Sequence, residues 1–168
     1  TTNRIARTAG VSIGSLYQYF PSKEELIVAV AERHVNQMIG LIEQTIASLE
    51  GVPFERAARA LVASIFAAHR VQPDLHRVLD EQVPRVGQLE KVAGFEGRVC
   101  LVVEAALTRR REEIAAVELQ AAAFCLTHAV EGVVHAFMLS EARHDEAKAE
   151  SLATEITAMI TAYLRPSG

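Results

Sequence analysis

The run Thr2-Asn3-Arg4-Ile5-Ala6-Arg7-Thr8-Ala9-Gly10-Val11-Ser12-Ile13-Gly14-Ser15-Leu16-Tyr17-Gln18-Tyr19-Phe20 leaves its fold few options. Two short helices joined by a glycine turn satisfy it. The threonines at the start can cap the first helix, Ile5, Ala6 and Ala9 give it an apolar face at helical spacing, and Gly10 supplies the positive φ of a stop. Ser12 then caps a second helix with Val11, Leu16 and Phe20 turned inward. Its outward face is Ile13, Gly14, Ser15, Tyr17, Gln18 and Tyr19, which holds two tyrosines, two small residues and no acid. Such a face suits a DNA major groove, where small residues permit close approach, hydroxyls reach phosphates and Gln pairs with base edges. Pro21 ends the helix, and Ser22-Lys23-Glu24-Glu25 forms a capping box for the next.

The residues Ile5-Ala6, Ala9-Gly10-Val11-Ser12, Leu16-Tyr17-Gln18-Tyr19-Phe20, Pro21 and Lys23 closely resemble the tetracycline-repressor (TetR) family of ligand-responsive transcription regulators. The resemblance implies an all-α protein: a helix-turn-helix head over 1–22 and a helical regulatory and dimerisation body over 23–168. It also implies a further helix and a basic arm ahead of Thr2, so the sequence is expected to lack the start of the natural chain. DNA contacts are then expected from Thr2, Asn3, Ser12, Ile13, Gly14, Ser15, Tyr17, Gln18, Tyr19 and Lys23.

Charge divides the chain in the same place. The net charge is −4, yet residues 1–23 carry Arg4, Arg7 and Lys23 without an acid, which leaves −7 for the rest. Phosphate affinity follows local basic residues and not the overall isoelectric point, so an acidic body does not oppose DNA binding. At 168 residues the chain can bury a core. Its longest uninterrupted apolar stretches, such as 121–126, are short for a bilayer, and no secretory segment opens it, so no membrane partner and a cytoplasmic location are expected. Cys100 and Cys125 lie in apolar helical surroundings and read as small buried hydrophobes.

Beyond the head, apolar residues keep three-four spacing from Ile27 to Leu49, predicting one long helix that joins head to body. Further helices are predicted over 54–71, 74–83, 98–111, 118–140 and 145–164, with a broken stretch around Gly94 and Gly97. The segment 98–111 is apolar on nearly every side and reads as central. Arg109, Arg110 and Arg111 at its end suit a helix C-terminus.

A two-fold operator calls for a homodimer. Small residues Ala122, Ala129, Gly132 and Ala136 on the penultimate helix, with Ile156, Ile160 and Tyr163 on the last, are the expected interface. The family resemblance further implies a cavity for a small, mostly apolar effector. Candidate lining residues are Phe66, His69, Leu79, Phe95, Val103, Leu107, Phe124 and His128, each of which serves equally as plain core. Glu104 interrupts the apolar helix, where a buried carboxylate needs a partner such as Arg70 or Arg77, or orients a polar ligand.

His128, Glu131 and His135 share a helix face, and His69 and His76 flank Pro73. Without cysteine or paired carboxylates beside them, no metal site and no cofactor are expected. Nucleophile elbow, phosphate loop and metal-hydrolase motifs are missing, so an enzyme is not expected. Two classes remain: a repressor released from a palindromic operator by a small effector, and a DNA-binding protein with no small ligand, controlled by a protein partner or acting architecturally. A head that has lost DNA binding is a third. An enclosed apolar cavity discriminates the first two.

Overall fold

The computed structural model of the protein describes residues 1–83, 89–115 and 118–166, apart from the side chains of 73, 80 and 89–96. Eight α-helices follow one another among the described residues, with no strand: α1 (Thr2–Thr8), α2 (Ile13–Tyr19), α3 (Lys23–Ser48), α4 (Phe54–Val71), α5 (Pro73–Gln82), α6 (Leu89–Arg109), α7 (Leu119–Leu139) and α8 (Glu146–Tyr163).

Local chemistry sets the boundaries. Gly10 and Gly51 take φ of 68° and 75°, a left-handed conformation that glycine adopts without a Cβ clash, and they close the turns after α1 and α3. The Ser12 hydroxyl accepts from the Ser15 N–H at 2.9 Å, Ser22 from Glu25 at 3.1 Å, and Asp145 from Lys148 at 3.0 Å, each satisfying an amide that a helix start leaves orphaned. Glu118 caps α7 through the amides of Gln120 and Ala121. Thr1 occupies the cap position of α1 without a side-chain hydrogen bond, and the Thr2 hydroxyl lies 3.1 Å from the Tyr17 hydroxyl instead. The expected threonine cap is thus replaced by a contact that holds α1 on α2.

The main core lies where α4, α7 and α8 meet. Val62, Phe66, Val134, Phe137, Met138, Ile156 and Leu164 are buried there, and each such side chain contributes about 1.5–3 kcal/mol by leaving water. A smaller cluster of Ile39, Ile42 and Val99 joins α3 to α6. Arg110 ties the same region together: its guanidinium donates to the Leu49 carbonyl at 2.7 Å and the Val52 carbonyl at 2.9 Å, closing the turn after α3. One of the three arginines therefore serves the end of a different helix from its own.

Several expectations change. The helix α6 begins at Leu89, so the backbone around Gly94 and Gly97 is helical where a break is predicted. Two glycines cost about 1 kcal/mol each relative to alanine, which the neighbouring helix formers offset. Nor is α6 central: Leu101 is 64% exposed, and Glu104 is only half-buried, so its carboxylate needs no buried partner. Arg70 pairs with Glu146 at 2.9 Å and Arg77 with Glu81 at 3.2 Å. Val11 is exposed rather than inward, Cys125 is exposed and Cys100 half-buried. By length and hydropathy α7 could span a membrane, contrary to the reading from uninterrupted apolar runs. One face of it is nonetheless packed in the core, and polar Thr127, Glu131 and His135 recur along it.

Candidate effector chamber and DNA-reading face

The reading face of α2 stands clear of the body. Tyr19 is 80% exposed, and Tyr17, Gln18, Ile13 and Gly14 are exposed beside it, as is Asn3 on α1. A Cβ built on Gly14 would meet only the Ser12 hydroxyl, at 3.8 Å, so nothing inside the protein requires glycine there. Ser12 and Ser15 are engaged with each other, their hydroxyls 2.8 Å apart. The exposed Lys23 ammonium donates to Gln82 Oε1 at 3.2 Å, linking the start of α3 to the end of α5.

Between the helices of the body lies a cavity of about 490 Å³. Its walls come from six helices. Apolar side chains of α3 (Val35, Met38, Ile42, Ile46), α4 (Phe54, Leu61, Ile65) and α6 (Val99, Val103, Leu107) make up most of it, and Ile160 and Leu164 of α8 complete it. Of the expected lining residues, His69, Leu79, Val103 and Leu107 line the cavity. Phe66 is buried but turned into the α4–α7–α8 core, where its ring lies 6.1 Å from that of Phe137. Glu104 is half-buried and does not line the cavity. Phe124 and His128 also lie outside it: Phe124 is 57% exposed, and its ring stacks on His128 at 4.1 Å on the outer face of α7. The side chain of Phe95 lies outside the described residues.

Polar groups gather at one side of this apolar chamber. Thr127, Glu131 and His135 recur every four residues along α7 and form a stripe in its wall. The Thr127 hydroxyl is buried without a hydrogen-bond partner among the described residues. His34 of α3, His69 of α4 and His76 of α5 converge beside the stripe: the His69 and His76 rings stack at 4.2 Å, and His34 meets His76 edge-on at 4.4 Å. His135 lies 5.8 Å from His69, ring to ring. Burial holds all three converging imidazoles below their ordinary value, aided by the repulsion that neighbouring imidazolium charges would exert; His69 is lowered to about 4 and His76 to about 3. They are therefore neutral at pH 7.

No metal site is predicted from the sequence, yet the fold brings three histidines together. Nitrogens of His34, His69 and His76 that could ligate an ion all lie within 4.8 Å of one another. The three residues come from separate helices at spacings that form no local motif, so nothing short of the packing of α3, α4 and α5 brings them together. His76, Thr127, Glu131 and His135 are cavity residues that the sequence reading passes over or sets aside.

The expected interface also divides. Gly132 and Ala136 are exposed and Tyr163 is 47% exposed, with Phe124, Leu139 and Met159 beside them, while Ala129 is half-buried. Ile156 and Ile160 are buried in the core of the protomer, and so is Ala122. The apolar stripe of α8 is broad enough to be split, its inner half serving the α4–α8 contact.

Residues 1–30 match the model of the bacterial regulatory proteins of the tetR family, and residues 53–164 match that of the tetracyclin repressor-like C-terminal domain. Among curated proteins, the nucleoid occlusion factor SlmA of Haemophilus ducreyi is 34% identical over 85 residues, 47% of this chain and 38% of that protein. The SlmA protein of Actinobacillus pleuropneumoniae serotype 5b has the same identity and coverage, so the match spans well under half of either relative. Solved structures share the fold. GusR of Salmonella enterica superposes with a TM-score of 0.71 at 21% identity, over 98% of this chain and 84% of its own. The regulator PfmR of Thermus thermophilus gives 0.68 at 17% identity, over 95% and 86%.

Proposed function

Because the chain belongs to the TetR family of DNA-binding transcriptional regulators, we propose that it is a repressor released from a two-fold operator when a small, mostly apolar effector enters the body. The observation that carries this reading is the 490 Å³ cavity, a volume within the range of small-molecule sites and lined by apolar side chains with a few convergent polar groups. The helix α3 supplies one wall of that cavity and is separated from the end of α2 by only three residues. An effector that favours one packing of α3 thereby biases where α2 stands, by the 1–3 kcal/mol typical of coupled sites.

In this reading the head contacts DNA through Thr2, Asn3, Ser12, Ile13, Gly14, Ser15, Tyr17, Gln18, Tyr19 and Lys23, and effector contacts come from His69, Leu79, Val103 and Leu107 together with Thr127 and the histidine cluster. The homodimer forms through the outer faces of α7 and α8 around Gly132, Ala136 and Tyr163. A gel-shift screen of operator fragments with small aromatic and fatty compounds tests the reading. Release of DNA by a compound that also raises the unfolding temperature supports it, and a protein that binds DNA yet responds to no compound refutes it.

A second reading is a DNA-binding factor without a small ligand, controlled by a protein partner or acting architecturally. It draws on the likeness to proteins named as nucleoid occlusion factors.

A further inference from the structure

We propose that His34, His69 and His76 form a site for one divalent ion of the zinc class, with its open side toward the cavity. The three imidazoles come from α3, α4 and α5, and their ligating nitrogens lie within 4.8 Å of one another. Zinc–imidazole bonds are about 2.0–2.1 Å, so ligand nitrogens in a tetrahedral site sit about 3.3 Å apart. Closing the cluster around an ion therefore requires each ring to move by about 1 Å or less, within the reach of small side-chain rotations.

His69 is already fixed in one tautomer. Its Nδ1 lies 2.8 Å from the Ile65 carbonyl oxygen. A carbonyl only accepts, so Nδ1 carries the proton and Nε2 presents its lone pair. Ligating histidines are commonly fixed in this way, through a second nitrogen that donates to a backbone carbonyl. Neutral imidazole is the form that ligates a metal. The His69 and His76 rings stack at an interplanar angle of 24°, so one of them must also turn about its side-chain torsions to aim its lone pair at the ion. Imidazole donors favour zinc, nickel, cobalt or copper over magnesium and calcium, which prefer oxygen.

Three protein nitrogens leave a fourth position. It faces the chamber, where Glu131 and His135 of α7 also stand, and water or an acidic group of an effector would occupy it. An ion held there fastens α3 to α4 and α5. The site itself stands on this geometry, while any effect of the ion on operator binding rests on the regulatory reading above.

The test uses the chelator-treated full chain and Co²⁺ as the probe, read by visible absorption. One Co²⁺ per chain is expected, with the intense bands of a tetrahedral nitrogen set, displaced by Zn²⁺. His76→Ala should weaken binding beyond the roughly tenfold to hundredfold loss typical of removing an outer partner. His34→Gln, at a half-buried position that tolerates the change, should do the same if His76→Ala does not fold. His144→Ala, on an exposed turn, should bind as the parent does. A weak octahedral spectrum, tetrahedral bands that persist in the folded His76→Ala or His34→Gln protein, or equal loss in His144→Ala overturns the site. The outcomes also separate the two claims. Tetrahedral binding with operator affinity indifferent to metal keeps the site and removes its regulatory effect, whereas release of DNA by an organic compound without tetrahedral cobalt keeps the regulatory reading and removes the site.

Discussion

Lys23 Nζ donates to Gln82 Oε1 across 3.2 Å, so the root of the long helix α3 is held by the last turn of α5. The sequence reading gives α3 sole contact with both head and body, and this bond adds a second route. The helix α5 also carries His76 and Leu79, which line the cavity. Gln82→Ala should leave operator affinity within about twofold while weakening the effector response, because Lys23 is freed and α5 no longer reports to the head. Lys23→Ala should lower the slope of log affinity against log salt by about one unit if its ammonium sits on a phosphate. Fluorescence anisotropy at several salt concentrations measures both.

The head should fail by contact and not by unfolding. Tyr19→Ala removes an exposed ring that packs on little, and should reduce operator affinity by about tenfold or more, the 1.4 kcal/mol of one good contact. Gly14→Leu meets only ordinary van der Waals distance inside the protein, so retained helicity with lost binding would locate the close approach at the DNA. Unchanged affinity in both variants would remove the groove reading.

Gly132 has open space where a Cβ would project. Gly132→Leu is therefore tolerated by an isolated protomer and overpacks only a close helix crossing between copies, at about 1–3 kcal/mol. Sedimentation should show a folded protein shifted toward monomer. A dimer of parental stability would place the interface elsewhere.

Val103→Trp fills the chamber from the α6 side. DNA binding should persist and effector release should disappear. A variant still released at the parental effector concentration would show that the effector binds elsewhere.

Stability should fall in mild acid. His69 and His76 lie at about 4 and about 3, and His34 is also lowered, whereas the unfolded chain takes up these protons near 6.5. The unfolded state binds more protons throughout that window, so the contribution is intact above about pH 6.5 and is lost as pH falls toward 3–4, by about 1.4 kcal/mol per pH unit for each of His69 and His76. The groups facing the cluster are His135 and Glu131 of α7. Urea midpoints recorded with chelator present, on both sides of the window, check the slope, and His76→Phe should flatten it.

Short-range chemistry was the legible part. Ser12, Ser22 and Gly10 act within four residues of themselves, so the caps and turns of the head follow from sequence, as does the three-four spacing that makes α3 one helix. Helical phase relative to neighbours was not legible. Phe124 and Val130 are equally apolar, and only the packing of α7 against α4 and α8 decides that one faces solvent and the other the chamber. The histidine cluster was hidden for the same reason: His34 reads as one polar member of an apolar stripe until α5 is laid across it.

Thr127, Glu131 and His135 of α7 line the chamber, while Gly132 and Ala136, each next in sequence to one of them, are exposed on the outer side of the same helix. In the proposed dimer a single helix thus separates the chamber of one subunit from the surface offered to its twin. Any tilt or rotation of α7 that accommodates a guest is delivered to the second subunit directly, with no intervening layer to absorb it. Occupancy of the two chambers in a dimer should then be cooperative, the first guest altering the affinity for the second, and the steepness of the dose response would report on the packing of this one rod.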